Sequence, residues 1–226
     1  MRTLLPTKLS PFVCTIICAI GFALSARAVI VDQVAIAAGN KIITQSEIIR
    51  RIRLAAFQNG TTPDFSITSQ REAAQRLIDL KLVEREMDLG HYERTPPAKA
   101  AELLTAFTAE HFRGSPDALQ AALAAMDLAP SDLQDELAEQ ADLLSFTSLR
   151  FRPAVEVSDQ EIQEYYKNHV ASAEAARDAA NPGALADERA NIERILVNER
   201  ADLDLDAWLR DQRTRTKIVY FESELQ

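Results

Sequence analysis

The sequence is poor in the residues that build disulfides, metal centres and phosphate-binding loops. Cysteine occurs only as Cys14 and Cys18, both in an N-terminal stretch with the pattern of an export leader. A chain cleaved after that leader has no disulfide to staple it and folds on its apolar core alone. Histidine occurs as His91, His111 and His169, far apart and in no HxxxH or HExxH pair. A zinc site needs three or four converging ligands, so no metal is expected. The six glycines are never adjacent, and no GxGxxG, Walker or GxSxG arrangement is present. Acids are plentiful, as in Asp135-Glu136 and around Glu84, Glu86 and Asp88, but they stand beside Arg and Lys on polar helix faces. Such pairs are mostly solvated and lack the burial that tunes a general acid. The sequence therefore predicts no enzyme activity, no cofactor and no metal.

The leader itself is readable. Arg2 and Lys8 give a basic start, Pro11 to Leu24 an uncharged apolar run, and Ala26-Arg27-Ala28 an A-x-A cleavage signal. The apolar run is shorter than the roughly 20 residues a bilayer span requires, so residues 1–28 are expected to be a cleaved signal peptide. The mature chain is then exported, with no membrane insertion after cleavage. Removing Arg2, Lys8 and Arg27 turns the formal charge of −9 into −12. Nucleic acid and anionic lipid, which are bound chiefly through Lys and Arg, are poor partners for it.

The stretch from Val29 to Phe57, VIVDQVAIAAGNKIITQSEIIRRIRLAAF, organises the rest. Val34–Ala38 and Lys41–Ile43 are short β-prone runs around Gly39-Asn40, a tight hairpin signal. Thr44 and Glu47 then stand in the S/T-x-x-E relation of a capping box. A lone hairpin is marginal in water, and the only other strongly β-prone run is Lys217–Phe221. The two ends of the mature chain are therefore expected to meet in one small sheet. Between them nearly every segment carries an apolar helical stripe and a start signal: boxes at Ser69/Glu72, Ser131/Gln134 and Ser158/Glu161, and cap-proline pairs at Thr95-Pro96 and Ser115-Pro116. Phe151–Val157 reads as an extended connector, and Asn181-Pro182-Gly183 as a break before a last helix from about Asp187 to Arg213. The fold class is mainly α, with a small antiparallel sheet formed by the N-terminal hairpin and the C-terminal strand. Residues 29–157 read as an N-terminal helical module and 158–226 as a helical extension that returns to it.

Phe57, Phe65, Met87, Phe107, Phe112 and Met126 lie at or near helix ends around two loops. Apolar stripes usually fill cores, yet this set is also the candidate peptide-binding surface, because Met adapts to varied apolar guests.

The run VDQVAIAAGNKIITQSEI resembles the opening of SurA-type periplasmic chaperones, and QRLIDLKLVEREMDLG resembles that family's second helix. SPDALQAALAAMDLAPSDLQDELAEQ, LRFRPAVEVSDQEIQEYYKNH and LDAWLRDQRTRTKIVYF resemble the remainder of its N-terminal region and its closing helix and strand. The departure is as informative. Where those proteins carry parvulin prolyl isomerase domains, this chain has only Ala171 to Gly183, without the Gly-Gly-x-x-Gly signature or the paired histidines. The resemblance implies an ATP-independent periplasmic holdase for unfolded outer-membrane or exported polypeptides, without isomerase activity. The alternative is a non-catalytic assembly subunit with one dedicated folded partner.

Overall fold

Thr44 sits where the hairpin becomes a helix, and its side chain decides the junction. Strand β1 (Val34–Ala38) turns through Gly39-Asn40 into β2 (Lys41–Thr44), which runs directly into α1 (Gln45–Asn59). Gly39 has φ 63°, whereas Asn40 stays at negative φ, the II′ arrangement that places glycine first. The Thr44 hydroxyl accepts the Glu47 N–H at 3.3 Å, and the Glu47 carboxylate accepts the Thr44 N–H at 2.8 Å. This computed structural model describes residues 32–170 and 182–225; the expected leader at 1–28 and the alanine-rich 171–180 lie outside them.

The chain continues through α2 (Ile67–Leu89), α3 (Pro97–Phe112), α4 (Pro116–Ala124), α5 (Pro130–Arg150), α6 (Asp159–Tyr165) and α7 (Pro182–Arg215), and ends in β3 (Ile218–Tyr220). The protein is mainly helical with one three-stranded antiparallel sheet, in the order β2-β1-β3. Ile36 pairs with Ile43 on one side and Tyr220 on the other, and Ala37 with Ile42 and Val219. The closing strand thus lands on the hairpin, as the β-prone runs predict. Ala35 is the extra residue of a bulge between Val34 and Ile36, which lets it turn inward and be fully buried.

Two cap signals act as expected. Ser158 and Glu161 form the reciprocal box of α6, and Ser115 accepts the Ala118 N–H at the start of α4. Three are corrected. At α2 the cap is Ser66, not Ser69, because Asp64 binds both the Ser66 N–H at 2.9 Å and the Ser69 hydroxyl at 2.6 Å. At α3 the Thr95 N–H and hydroxyl are both taken by Asp142 of α5 at 2.6 Å, leaving Pro96 as the cap residue. At α5 the Ala129 N–H donates to Asp132 at 2.7 Å with Pro130 in the first turn, so Ser131 and Gln134 form no box. Phe151–Val157 is not fully extended either; Arg152–Ala154 make a short 3-10 turn. The last helix already covers Pro182–Arg215, ahead of the expected start near Asp187.

The main core lies where α2 meets the sheet's inner face, α5 and α7. It holds Ile36, Ile43, Ile48, Leu77, Ile78 and Phe146. Leu144 of α5 and Leu203 of α7 stay exposed. The buried side of α5 passes through Leu133, Phe146 and Thr147, and that of α7 through Ile192, Ala201 and Leu209.

The α6–α7 contact has a titrating element. Glu161 caps Ser158 and also receives the Arg200 guanidinium of α7. The backbone and hydroxyl of Ser158, then Arg200, hold its carboxyl down to about 2, from an ordinary value of 4.5. A carboxyl depressed in the folded state stabilises it fully above the ordinary value, and that stabilisation is lost as pH falls toward 2. An NMR titration of the Glu161 side chain is expected to show its midpoint near 2. Arg200→Ala should move that midpoint upward while leaving it below the ordinary value, since Ser158 still donates.

Candidate functional site

Helices α1, α2, α5 and α7 do not close completely on one another. Between them runs an open groove of about 390 Å³. Its floor is aliphatic: Ala55 from α1, Leu80 and Val83 from α2, Leu143 from α5, and Leu205 and Leu209 from α7. Its rim is charged, formed by Arg51, Arg76, Asp79, Glu136, Glu139 and Asp206. Each helix contributes through residues one turn apart. On α2, Arg76, Asp79, Leu80 and Val83 are spaced by three or four, the periodicity that brings side chains to one face.

Two ion-pair systems fix the walls. Arg51 of α1 reaches Glu136 and, at 2.5 Å, Glu139, both on α5. Gln140 extends the chain, donating to Glu136 at 2.9 Å and to Gln58 at 3.3 Å. Burial opposes the Arg51 charge, but attraction from the two glutamates outweighs it and holds its pKa above the ordinary value. Burial, joined by the like charge of Glu136, pushes the Glu139 carboxyl up despite Arg51. One cation therefore faces two carboxylates, and the wall is acidic. On the other side Arg213 of α7 grips Asp79 of α2 with two hydrogen bonds, one of 2.6 Å from its Nε. Planar two-point pairing of this kind gives geometry as well as attraction. Asp206 makes no ion pair among the described residues.

The six residues singled out in the sequence go elsewhere. Phe57, Phe107, Phe112 and Met126 do come together, around a second apolar cluster of Leu54, Leu119, Leu123, Leu128 and Leu133. The Phe57 and Phe112 rings stack with centroids 6.0 Å apart and planes 5° apart, and Phe107 lies 6.2 Å from Phe57. All four are half-buried and fasten α3 and α4 to α1 and α5. Phe65 stands apart, 43% exposed, with the Arg53 guanidinium 5.8 Å above its ring. Met87 is a correction: at 1% exposure it is interior, packed in the main core, and presents nothing to a ligand. None of the six lines the groove. Ala55, Val83 and Leu209 stand at apolar helical spacing in the sequence, but the gap they border depends on how four helices splay.

Among the described residues, no group of His, Cys, Asp and Glu could hold a metal ion, and no helix is long and apolar enough to cross a membrane. No protein-family model matches the chain, and no curated protein matches it in sequence.

Proposed function

We propose that the mature chain is an ATP-independent holdase that binds unfolded exported polypeptides, outer-membrane proteins among them, in the periplasm. The observation that carries this reading is the groove: an aliphatic floor already assembled by four helices, held open by paired charges, and wide enough for apolar client side chains. An open apolar trough without convergent polar groups discriminates little between sequences, which suits many clients better than one ligand. Its acidic rim favours clients in which basic residues flank apolar ones. The resemblance of the sequence to SurA-type chaperones supports the same reading and supplies the compartment.

The test is dilution of a urea-unfolded outer-membrane barrel protein into buffer with the mature chain, followed by light scattering. Several-fold excess of the chain is expected to suppress aggregation. Leu205→Glu, which puts a charge on the groove floor, is expected to need about tenfold more protein, the equivalent of one lost aliphatic burial of about 1.5 kcal/mol. No slowing by the unaltered chain overturns the proposal. A pull-down yielding one stoichiometric folded partner replaces it with an assembly subunit.

A further inference from the structure

We infer that the outer edge of β3 is a second binding site, at which an extended polypeptide adds as a fourth strand of the sheet. The register decides which backbone groups are free. Gly39 donates its N–H to the Lys217 carbonyl at 3.0 Å, and Phe221 donates to the Ala35 carbonyl at 2.9 Å. Between them lies the Ala37/Val219 pair, so 217, 219 and 221 are the β3 positions that bond to β1. In an antiparallel ladder the intervening residues turn their groups the other way. The N–H and C=O of Ile218 and Tyr220 therefore point outward, and no partner meets them among the described residues. These groups repeat at about 6.8 Å, the two-residue spacing of an extended backbone.

Side chains extend the match. The sheet's outer face carries an apolar row of Ile42, Ala37 and Val219, with Phe221 next along β3. Ile42 is 55% and Phe221 62% exposed, although both are large and apolar. Residues 218–221 contain no proline and no charge, the usual devices that blunt an edge, whereas the β2 edge carries Lys41. An incoming strand with apolar residues at alternate positions would lay them beside Val219 and Phe221 while its backbone met Ile218 and Tyr220. Such alternation is the pattern of a strand with one buried face. A second copy of this chain is the poorer occupant, because three edge residues fall far short of the roughly 1,200 Å² that stable interfaces bury.

This inference rests on the holdase reading but names a different surface and client class: the groove takes side chains, and the edge takes backbone. The test compares Tyr220→Pro with Tyr220→Ala in the mature chain. Both lose the tyrosine ring, but only proline removes the outward N–H, and neither touches a bond to β1. The probe is a fluorescent peptide alternating valine and threonine with a lysine at each end, read by anisotropy, with thermal melts to establish folding. Tyr220→Pro is expected to bind about tenfold more weakly than Tyr220→Ala. A peptide N-methylated on alternate residues, with the unaltered chain, is expected to lose binding by a similar factor, and this arm stands if either variant fails to fold. Equal binding by the two variants when both fold, or by the two peptides, overturns the inference. A dimer of the unaltered chain that Tyr220→Pro dissolves overturns it in favour of a second copy. Suppressed aggregation with equal variants leaves the groove and removes the edge; backbone-dependent peptide binding without suppressed aggregation does the reverse.

Discussion

Phe146→Ala is expected to lower folding stability by about 3–5 kcal/mol, the range for deleting a fully buried aromatic ring. Phe146 has no exposed surface, and its ring meets Tyr92 at 5.3 Å, Trp208 at 5.4 Å and Phe151 at 5.8 Å. Those neighbours belong to the segment after α2, to α7 and to the turn after α5, so one cavity would loosen three connections at once. The Arg150 guanidinium spans the Phe146, Phe151 and Trp208 rings at 5.5 to 5.8 Å and would lose part of its support. Because Trp208 is the only tryptophan, its emission reports this site alone. Urea unfolding followed by tryptophan fluorescence should show a lower midpoint with little change in slope, and a red-shifted native emission. A midpoint within error of the unaltered protein would mean that α5 and α7 do not meet at this ring.

Arg51→Met is expected to have a comparable cost for a different reason. The substitution keeps most of the aliphatic stem but leaves Glu136 and Glu139 without their cation. Glu136 is 6% exposed and cannot turn to water without moving α5. Removing one member of a buried ion pair typically costs about 3–5 kcal/mol, most of it from the stranded charge. The companion variant, Arg51→Met with Glu136→Leu and Glu139→Met, removes the stranded charges as well and is expected to recover most of the loss. Denaturant titration of the single and triple variants at neutral pH decides the matter. Equal destabilisation of both would show that the network supplies net stability, and that its role extends beyond compensating its own burial. Lowering the pH should partly rescue the single variant, since protonation relieves an unpaired carboxyl.

The elements were more legible in the sequence than the site. Pairing of β3 with β1 follows from scarcity: only two stretches after residue 28 are strongly β-prone, and a hairpin needs a third strand. Thr44, Ser115 and Ser158 act as caps, each accepting the N–H three residues on. Ser69, Thr95 and Ser131 carry a local cap signal and fail for different reasons: Asp64 and Asp142 take the Ser69 and Thr95 hydroxyls, and the helix of Ser131 starts earlier, where Asp132 accepts the Ala129 N–H. Asp142 lies 47 residues from Thr95 and is invisible to any local rule. The groove escaped for a related reason. Aromatic residues near loops looked like binding residues, but Phe57, Phe107 and Phe112 satisfy one another. The open surface falls to ordinary aliphatic positions such as Leu80 and Leu205, whose exposure depends on helix spacing and leaves no mark in periodicity.

A sheet whose central strand is β1 and whose last member is β3 also imposes an order of events. Residue 36 waits for residue 220, and closing a loop of that length costs more entropy than closing any hairpin. Folding rate falls as such distant pairings dominate, so the sheet should be among the last parts to form. A chain emerging from a ribosome would carry an unflanked hairpin until β3 arrives. A product cut short before β3 would therefore keep one edge of β1 bare, a mark by which a quality-control protease would recognise it as unfinished.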